Sequence, residues 1–138
     1  MRQATEMLVV DTRRQGLVEI STEITAWVTA QAIETGLLTV FCRHTSASLL
    51  IQENAAREVR QDIEAYFVRI APENADYAHD DEGRDDMPAH LRTALTQVQL
   101  SIPVTRGRLV LGTWQGIYLF EHRRRPHRRQ IALHLIGE

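Results

Sequence analysis

Apolar positions along the chain change period several times, and each change marks an element. Short β-rich runs at Leu8-Val9-Val10 and Leu17-Val18-Glu19-Ile20 flank the polar Arg13-Arg14-Gln15-Gly16, which predicts a hairpin. Ser21 or Thr22 can cap a helix in which Ile24, Trp27 and Val28 fall at helical spacing, and Gly36 offers a stop. A strand is expected from Leu37 to about His44, its alternation putting Leu38, Val40, Cys42 and His44 on one face. Beyond Asn54, a second capping residue, Ala55, Val59, Ile63, Phe67 and Ile70 recur every three or four positions and predict a helix with one buried stripe.

Residues 71–86 have no hydrophobic period. They carry Pro72, Gly83 and a run of acids, and a loop of that length in a compact domain is more often functional than idle. A third helix follows, with Asp86 as cap, Pro88 in the first turn, and Leu91, Leu95 and Val98 as the core face. Strands are then expected at Gln99 to Val104, Arg108 to Leu111, Trp114 to His122 and Gln130 to Ile136. Strands first and last, with about three helices between, predict an α+β fold with a largely antiparallel sheet, as one domain over residues 1–138.

Composition alters this picture little. A chain of 138 residues, 43% apolar and 25% charged, suits one folded domain. No run approaches the ~18 apolar residues of a membrane span, and the N-terminus lacks a signal pattern, so a cytoplasmic protein without a membrane partner is expected. Cys42 is the single cysteine and cannot form an internal disulfide.

Charge is more informative. A net charge of -2 without a basic stripe argues against a nucleic-acid partner. All 16 basic residues are arginine, which excludes lysine Schiff-base chemistry. Acids crowd residues 73–86, and arginines crowd residues 123–129, where a solvated hairpin tip is the expectation.

Three histidines stand in settings that suit a metal. His44 ends a strand, His79 lies in the acidic loop, and His90 falls in the first turn of a helix, whose dipole favours the neutral imidazole that metals require. Together they can form an open zinc-type site, although H-x10-H matches no tight ligand motif and a lone histidine is more often a satisfied polar group. Glu82, Asp85 and Asp86 can hold magnesium on a phosphorylated substrate, or one of them can act as a general base; the alternative is a solvated loop with Asp86 as cap. Trp114-Gln115, between Gly112 and Gly116, can stack a flat ring and bond its edge, or simply form a turn, and Glu121 shares the face of Gln115. A serine hydrolase with Ser46 and His44 is disfavoured, because the Gly-x-Ser-x-Gly elbow is absent.

Four ordered stretches resemble a known family: Phe41-Cys42-Arg43-His44-Thr45-Ser46-Ala47-Ser48-Leu49; Glu53-Asn54-Ala55; His79 through His90; and Gly112-Thr113-Trp114-Gln115-Gly116-Ile117-Tyr118 with Glu121-His122-Arg123. They are similar to the YjbQ family, and the match covers nearly the whole chain from His44 to Gly137. The resemblance implies a small homotrimeric α+β protein with weak thiamine-phosphate synthase activity, joining a pyrimidine-methyl diphosphate to a thiazole phosphate with release of pyrophosphate. It implies a metal or anion site at His44, His79 and His90 near a subunit boundary. Where the family continues after Glu53-Asn54-Ala55 with Asp-Pro, this chain has Ala56 and Arg57. For such a reaction Glu82, Asp85 and Glu121 are the candidate catalytic groups. Arg43, Ser46, Asp86, Arg92, Trp114 and Gln115 are the candidates for the phosphorylated substrate, with zinc at the histidines or magnesium on the diphosphate. The competing functions are a metal-dependent hydrolase, in which Glu82 or Glu121 moves the proton, and a non-catalytic module that binds a phosphorylated metabolite.

Overall fold

The two strands nearest the C-terminus organise everything else. In the computed structural model, which describes all residues from Met1 to Glu138, the elements run β1 (Arg2–Thr12), β2 (Gly16–Glu19), α1 (Ser21–Ala30), β3 (Thr35–Cys42), β4 (Ala47–Glu53), α2 (Arg57–Ile70), α3 (Asp86–Leu95), β5 (Gln99–Thr105), β6 (Arg108–Leu109), β7 (Gln115–Glu121) and β8 (His127–Gly137). Two sheets result, one ordered β1-β8-β3-β5-β6 and the other β2-β7-β4. Every strand pairing is antiparallel, so the α+β expectation holds, with two sheets where one was expected.

Strand β7 is buried on both faces, as its unbroken run Ile117-Tyr118-Leu119-Phe120 suggests. Ile117 and Leu119 join Leu38, Val40, Leu100, Ile102, Ile131, Leu133 and Leu135 in the core between the sheets. On its other face, Phe120 meets Phe67 of α2 edge-on, 5.3 Å between ring centroids. Ile24 and Val28 of α1 enter the core directly.

Several local expectations are corrected. β1 and β2 form no hairpin, because β1 zips along β8 from Arg2↔Gly137 to Thr12↔His127 while β2 pairs with β7. An eleven-residue ladder satisfies more backbone than a four-residue hairpin would. Gly36 lies within β3 instead of ending α1, and a Cβ there would collide with the Ile136 carbonyl oxygen of β8. Neither Ser21 nor Thr22 caps α1; Ser21 Oγ accepts the Ile117 N–H at 2.8 Å and ties the helix to β7. Asn54 does not cap α2, since its amide donates to Glu19 while the Glu53 carboxylate accepts the N–H groups of Ala55 and Ala56. The stripe of α2 is only half-buried, and Ile70 is exposed. β4 was not anticipated, because Ser48 interrupts its apolar pattern and Ser46 precedes it.

Helix α3 departs furthest. Its cap position is Asp85, and its buried face consists of Asp86, Pro88, Ala89 and Arg92, while Leu95 is 62% exposed. A helix that turns an acid and an arginine inward is packed for polar contacts instead of apolar ones. No helix is long and apolar enough to cross a membrane.

This arrangement makes opposite predictions for two leucines. Leu38→Ala, at a site with 0% exposure, should lower unfolding free energy by about 2–5 kcal/mol in urea titrations. Leu95→Ala should change it by less than ~0.5 kcal/mol. Equal losses would contradict the orientation of α3.

Candidate metal centre

Asp86 is the hub of the polar cluster at the start of α3. The Arg123 Nη1 donates to its Oδ1 at 2.7 Å, which leaves Oδ2 facing two imidazoles. His79 Nε2 lies 2.8 Å from Oδ2, and His90 Nε2 lies 3.1 Å from it. The Glu82 Oε2 is also 2.8 Å from His79 Nε2. The cluster is graded in depth, since the Asp86 side chain is 5% exposed, His90 32% and His79 42%.

The tautomer of His90 follows from its other nitrogen. Nδ1 lies 2.9 Å from the Thr45 carbonyl oxygen, which can only accept, so Nδ1 carries the proton and a neutral ring turns a bare Nε2 toward Asp86. Two lone pairs at 3.1 Å repel unless a proton or a cation lies between them. Backbone anchoring of this kind also orients metal-ligating histidines. Ligand atoms of His79, Asp86 and His90 all lie within 4.8 Å of one another. Tetrahedral zinc with bonds of ~2.0–2.1 Å separates its ligand atoms by roughly 3.3 Å, a few tenths of an ångström from the two spacings about Asp86 Oδ2. The three residues could hold such an ion.

Electrostatics sets the protonation of the cluster. The hydrogen bond to Asp86 raises the pKa of His79 above the usual imidazole value, with help from Glu82 and Asp81. Burial opposes ionisation of Asp86, but the His79 hydrogen bond and the nearby His90 and Arg123 outweigh it and hold the carboxyl below its usual range. Asp85 is likewise held low against burial by the Arg124 N–H and the Arg123 guanidinium.

The other candidates fall in three places. His44 Nε2 accepts the Gln130 N–H at 2.8 Å, so His44 is outside the close cluster, and burial with the nearby Arg129 lowers its pKa. It still shares an open groove of about 460 Å³ with Arg43, Thr45 and His90, while Arg43 Nη1 donates to the Gln130 side chain at 2.7 Å. Glu121 is fully buried and saturated by Thr12 (2.6 Å), the Arg129 Nε (2.8 Å) and the Arg123 N–H (3.1 Å). Arg129 also donates to Ser46 Oγ at 3.0 Å. Trp114 is 62% exposed, and Gln115 Oε1 accepts the Gly112 N–H. Both lie at the far end of β7, roughly 20 Å from Glu121 at ~3.4 Å per residue. One chain does not bring them to the histidines.

Sequence reasoning missed Arg123, expected in a solvated tip yet 20% exposed. The complementary crowding of acids at 73–86 and arginines at 123–129 was the available signal. It also missed a buried polar chain in which Thr96, Ser48 and His122 follow one another at 2.6 and 2.8 Å. Burial drives the His122 pKa down to about 3, keeping the ring neutral.

Asp85, Asp86 and Glu121 all have depressed folded-state pKa values. Their stabilisation is present above the unfolded carboxyl value of ~4 and is lost as pH falls through the lower folded values. Thermal unfolding of metal-free protein should thus drop steeply below about pH 4. Arg123→Met should cost on the order of 3 kcal/mol at pH 7 and flatten that acid limb. An unchanged acid limb would show that Arg123 does not hold the carboxylates.

The fold and cluster can be set beside known proteins. The family model for UPF0047 protein YjbQ-like matches residues 5–138. The UPF0047 protein sll1880 of Synechocystis is 50% identical over 138 residues, covering 99% of this chain and 94% of its own length. The YjbQ protein of Salmonella typhimurium is 51% identical over 106 residues, 77% of each chain. A YbjQ-like protein from Sulfolobus solfataricus superposes with a TM-score of 0.92 at 26% identity, covering 99% of both chains. With a family model spanning nearly the whole sequence and half its positions shared with a full-length relative, this chain belongs to the YjbQ-like UPF0047 family.

Proposed function

We propose that the chain is a divalent-metal-dependent hydrolase of phosphorylated small molecules, with His79, Asp86 and His90 as ligands and Glu82 as proton acceptor. The observation that carries this reading is the convergence of two imidazole Nε2 atoms on Asp86 Oδ2, at 2.8 and 3.1 Å. Two nitrogen donors favour zinc over magnesium, which prefers an all-oxygen shell. An ion held there supplies Lewis acidity toward water and a phosphoryl oxygen.

The chain's own groups supply the rest. A polar cavity of about 320 Å³ opens beside His79, lined also by Asn74, Tyr77, Gly83 and Arg84, a size suited to a metabolite. Glu82 is 62% exposed and contacts His79 Nε2 only while that nitrogen holds no ion; once the nitrogen ligates one, the freed carboxylate can take the proton from an attacking water as the water oxygen bonds to phosphorus. The ester P–O bond then breaks, and the alcohol leaves with a proton from solvent. Glu121 is sealed in its pair with Arg129, so this reading gives the role to Glu82.

Resemblance to thiamine-phosphate synthase-like proteins supports a second reading, in which the metal neutralises a departing pyrophosphate. Trp114 favours it, because a 62% exposed indole is a ready platform for a flat ring. Its distance from the histidines means that a neighbouring copy has to provide it. A homotrimer is supported by the bare outer face of the larger sheet, where Met7, Val9, Leu37 and Phe41 are exposed. The unpaired Cys42 suits the cytoplasm.

Elemental analysis and a turnover screen test these readings together. About one zinc per chain is expected, lost in His90→Ala and Asp86→Asn, with phosphoester hydrolysis that a chelator abolishes. Zinc affinity should fall as pH drops through the raised His79 pKa, because the proton and the metal compete for Nε2. Pyrophosphate release from the pyrimidine and thiazole pair would favour the second reading. Metabolite-induced thermal stabilisation without turnover would leave a binding module and overturn both.

A further inference from the structure

Two arginines are equally buried and very differently treated. Arg92 and Arg129 are each 4% exposed. Arg129 is paired with Glu121 and bonds Ser46 as well. Arg92 has no carboxylate partner; its Nη2 donates to the Ala71 carbonyl oxygen at 2.8 Å, and its Nε has no partner at all. Glu73 acts on Arg92 only through space, without a direct ion pair, and a buried cation not in contact with an anion is costly, so a saturated arginine such as Arg129 is the structural norm and Arg92 has room for a closer anion.

The surroundings of Arg92 offer room for one. It lines a cavity of about 260 Å³ together with Gln15, Pro72, Glu73, Asn74 and Arg124. Glu73 lies across this niche. Its Oε1 accepts from Gln15 Nε2 at 3.2 Å, and its two oxygens accept from Arg124 Nε at 2.9 and 3.0 Å. The Arg124 hydrogen bonds hold the Glu73 carboxyl below its usual range, so it is an anion at neutral pH. The carboxylate thus occupies the donors nearest the surface, while the guanidinium behind them remains unpaired. Glu73 and Asn74 also line the cavity beside His79, which makes the two cavities neighbours.

We propose that Arg92, Gln15 and Arg124 form a binding site for a phosphate group, and that Glu73 is a built-in competitor which the phosphate displaces. A tetrahedral oxyanion has the acceptor geometry that a guanidinium fork and an amide N–H recognise, and it can reach deeper than the glutamate does. The site does not depend on the metal assignment. Where both hold, a ligand with two anionic groups can bridge the niche and the metal centre.

Calorimetric titration of metal-stripped protein with inorganic phosphate tests this. Glu73→Ala should bind phosphate at least about tenfold more tightly than the wild type. Adding Arg92→Gln or Arg124→Gln to Glu73→Ala should erase that gain. Arg124 is 66% exposed, so its variant folds even where loss of Arg92 does not, and circular dichroism checks each. Equal affinity in Glu73→Ala and wild type, or a gain that survives Arg124→Gln, would overturn the proposal. Phosphate binding that appears only after zinc loading and disappears in His90→Ala would also overturn it, while leaving the metal centre intact. A gain in metal-free protein supports the niche whatever the metal analysis returns.

Discussion

Adjacent carboxylates at the start of a helix repel each other, and one guanidinium that spans Asp85 and Asp86 offsets that repulsion. Arg123 gives its Nε to Asp85 at 3.0 Å, its Nη1 to Asp86 at 2.7 Å and its Nη2 to the Glu82 carbonyl oxygen at 3.0 Å. That fork pins the acidic loop and the first turn of α3 to the turn after β7. It fixes which oxygen of Asp86 is free, and so where His79 and His90 meet. The anchor is rigid because β7 lies in the middle of its sheet and is buried on both faces.

The same constraint explains what the sequence showed and what it hid. Strands with clean alternation, such as Gln99 to Thr105, and the runs that became β7 and β8 were legible because side-chain period reports burial directly. α2 was legible as a helix for the same reason. α3 was legible as a helix but not in its orientation, because its buried face is Asp86, Ala89 and Arg92, and patterning assigns such residues to solvent. The hairpin at Arg13–Gly16 failed because pairing partners distant in sequence leave no local trace.

Within the site, His79, His90 and Asp86 were all named from sequence, yet their grouping was not. His44 was grouped with the other two histidines by residue type, whereas in the structure its Nε2 accepts the Gln130 N–H and the Asp86 carboxylate is the group that His79 and His90 share. Arg123, Glu73 and the unpaired state of Arg92 lay beyond sequence reasoning because they depend on contacts across 37, 51 and 21 positions. The acidic loop is therefore the wall of two neighbouring cavities, one opening beside the imidazole of His79, the other backed by a buried cation.

The central claim is that Asp86 gathers two imidazoles into a metal site. X-ray absorption at the zinc edge on the zinc-loaded protein tests it most directly. Two imidazole nitrogens and one or two carboxylate oxygens are expected at ~2.0–2.1 Å, with no such shell in His90→Ala, which loses the ion. An all-oxygen shell, or a signal unaffected by that substitution, would contradict it.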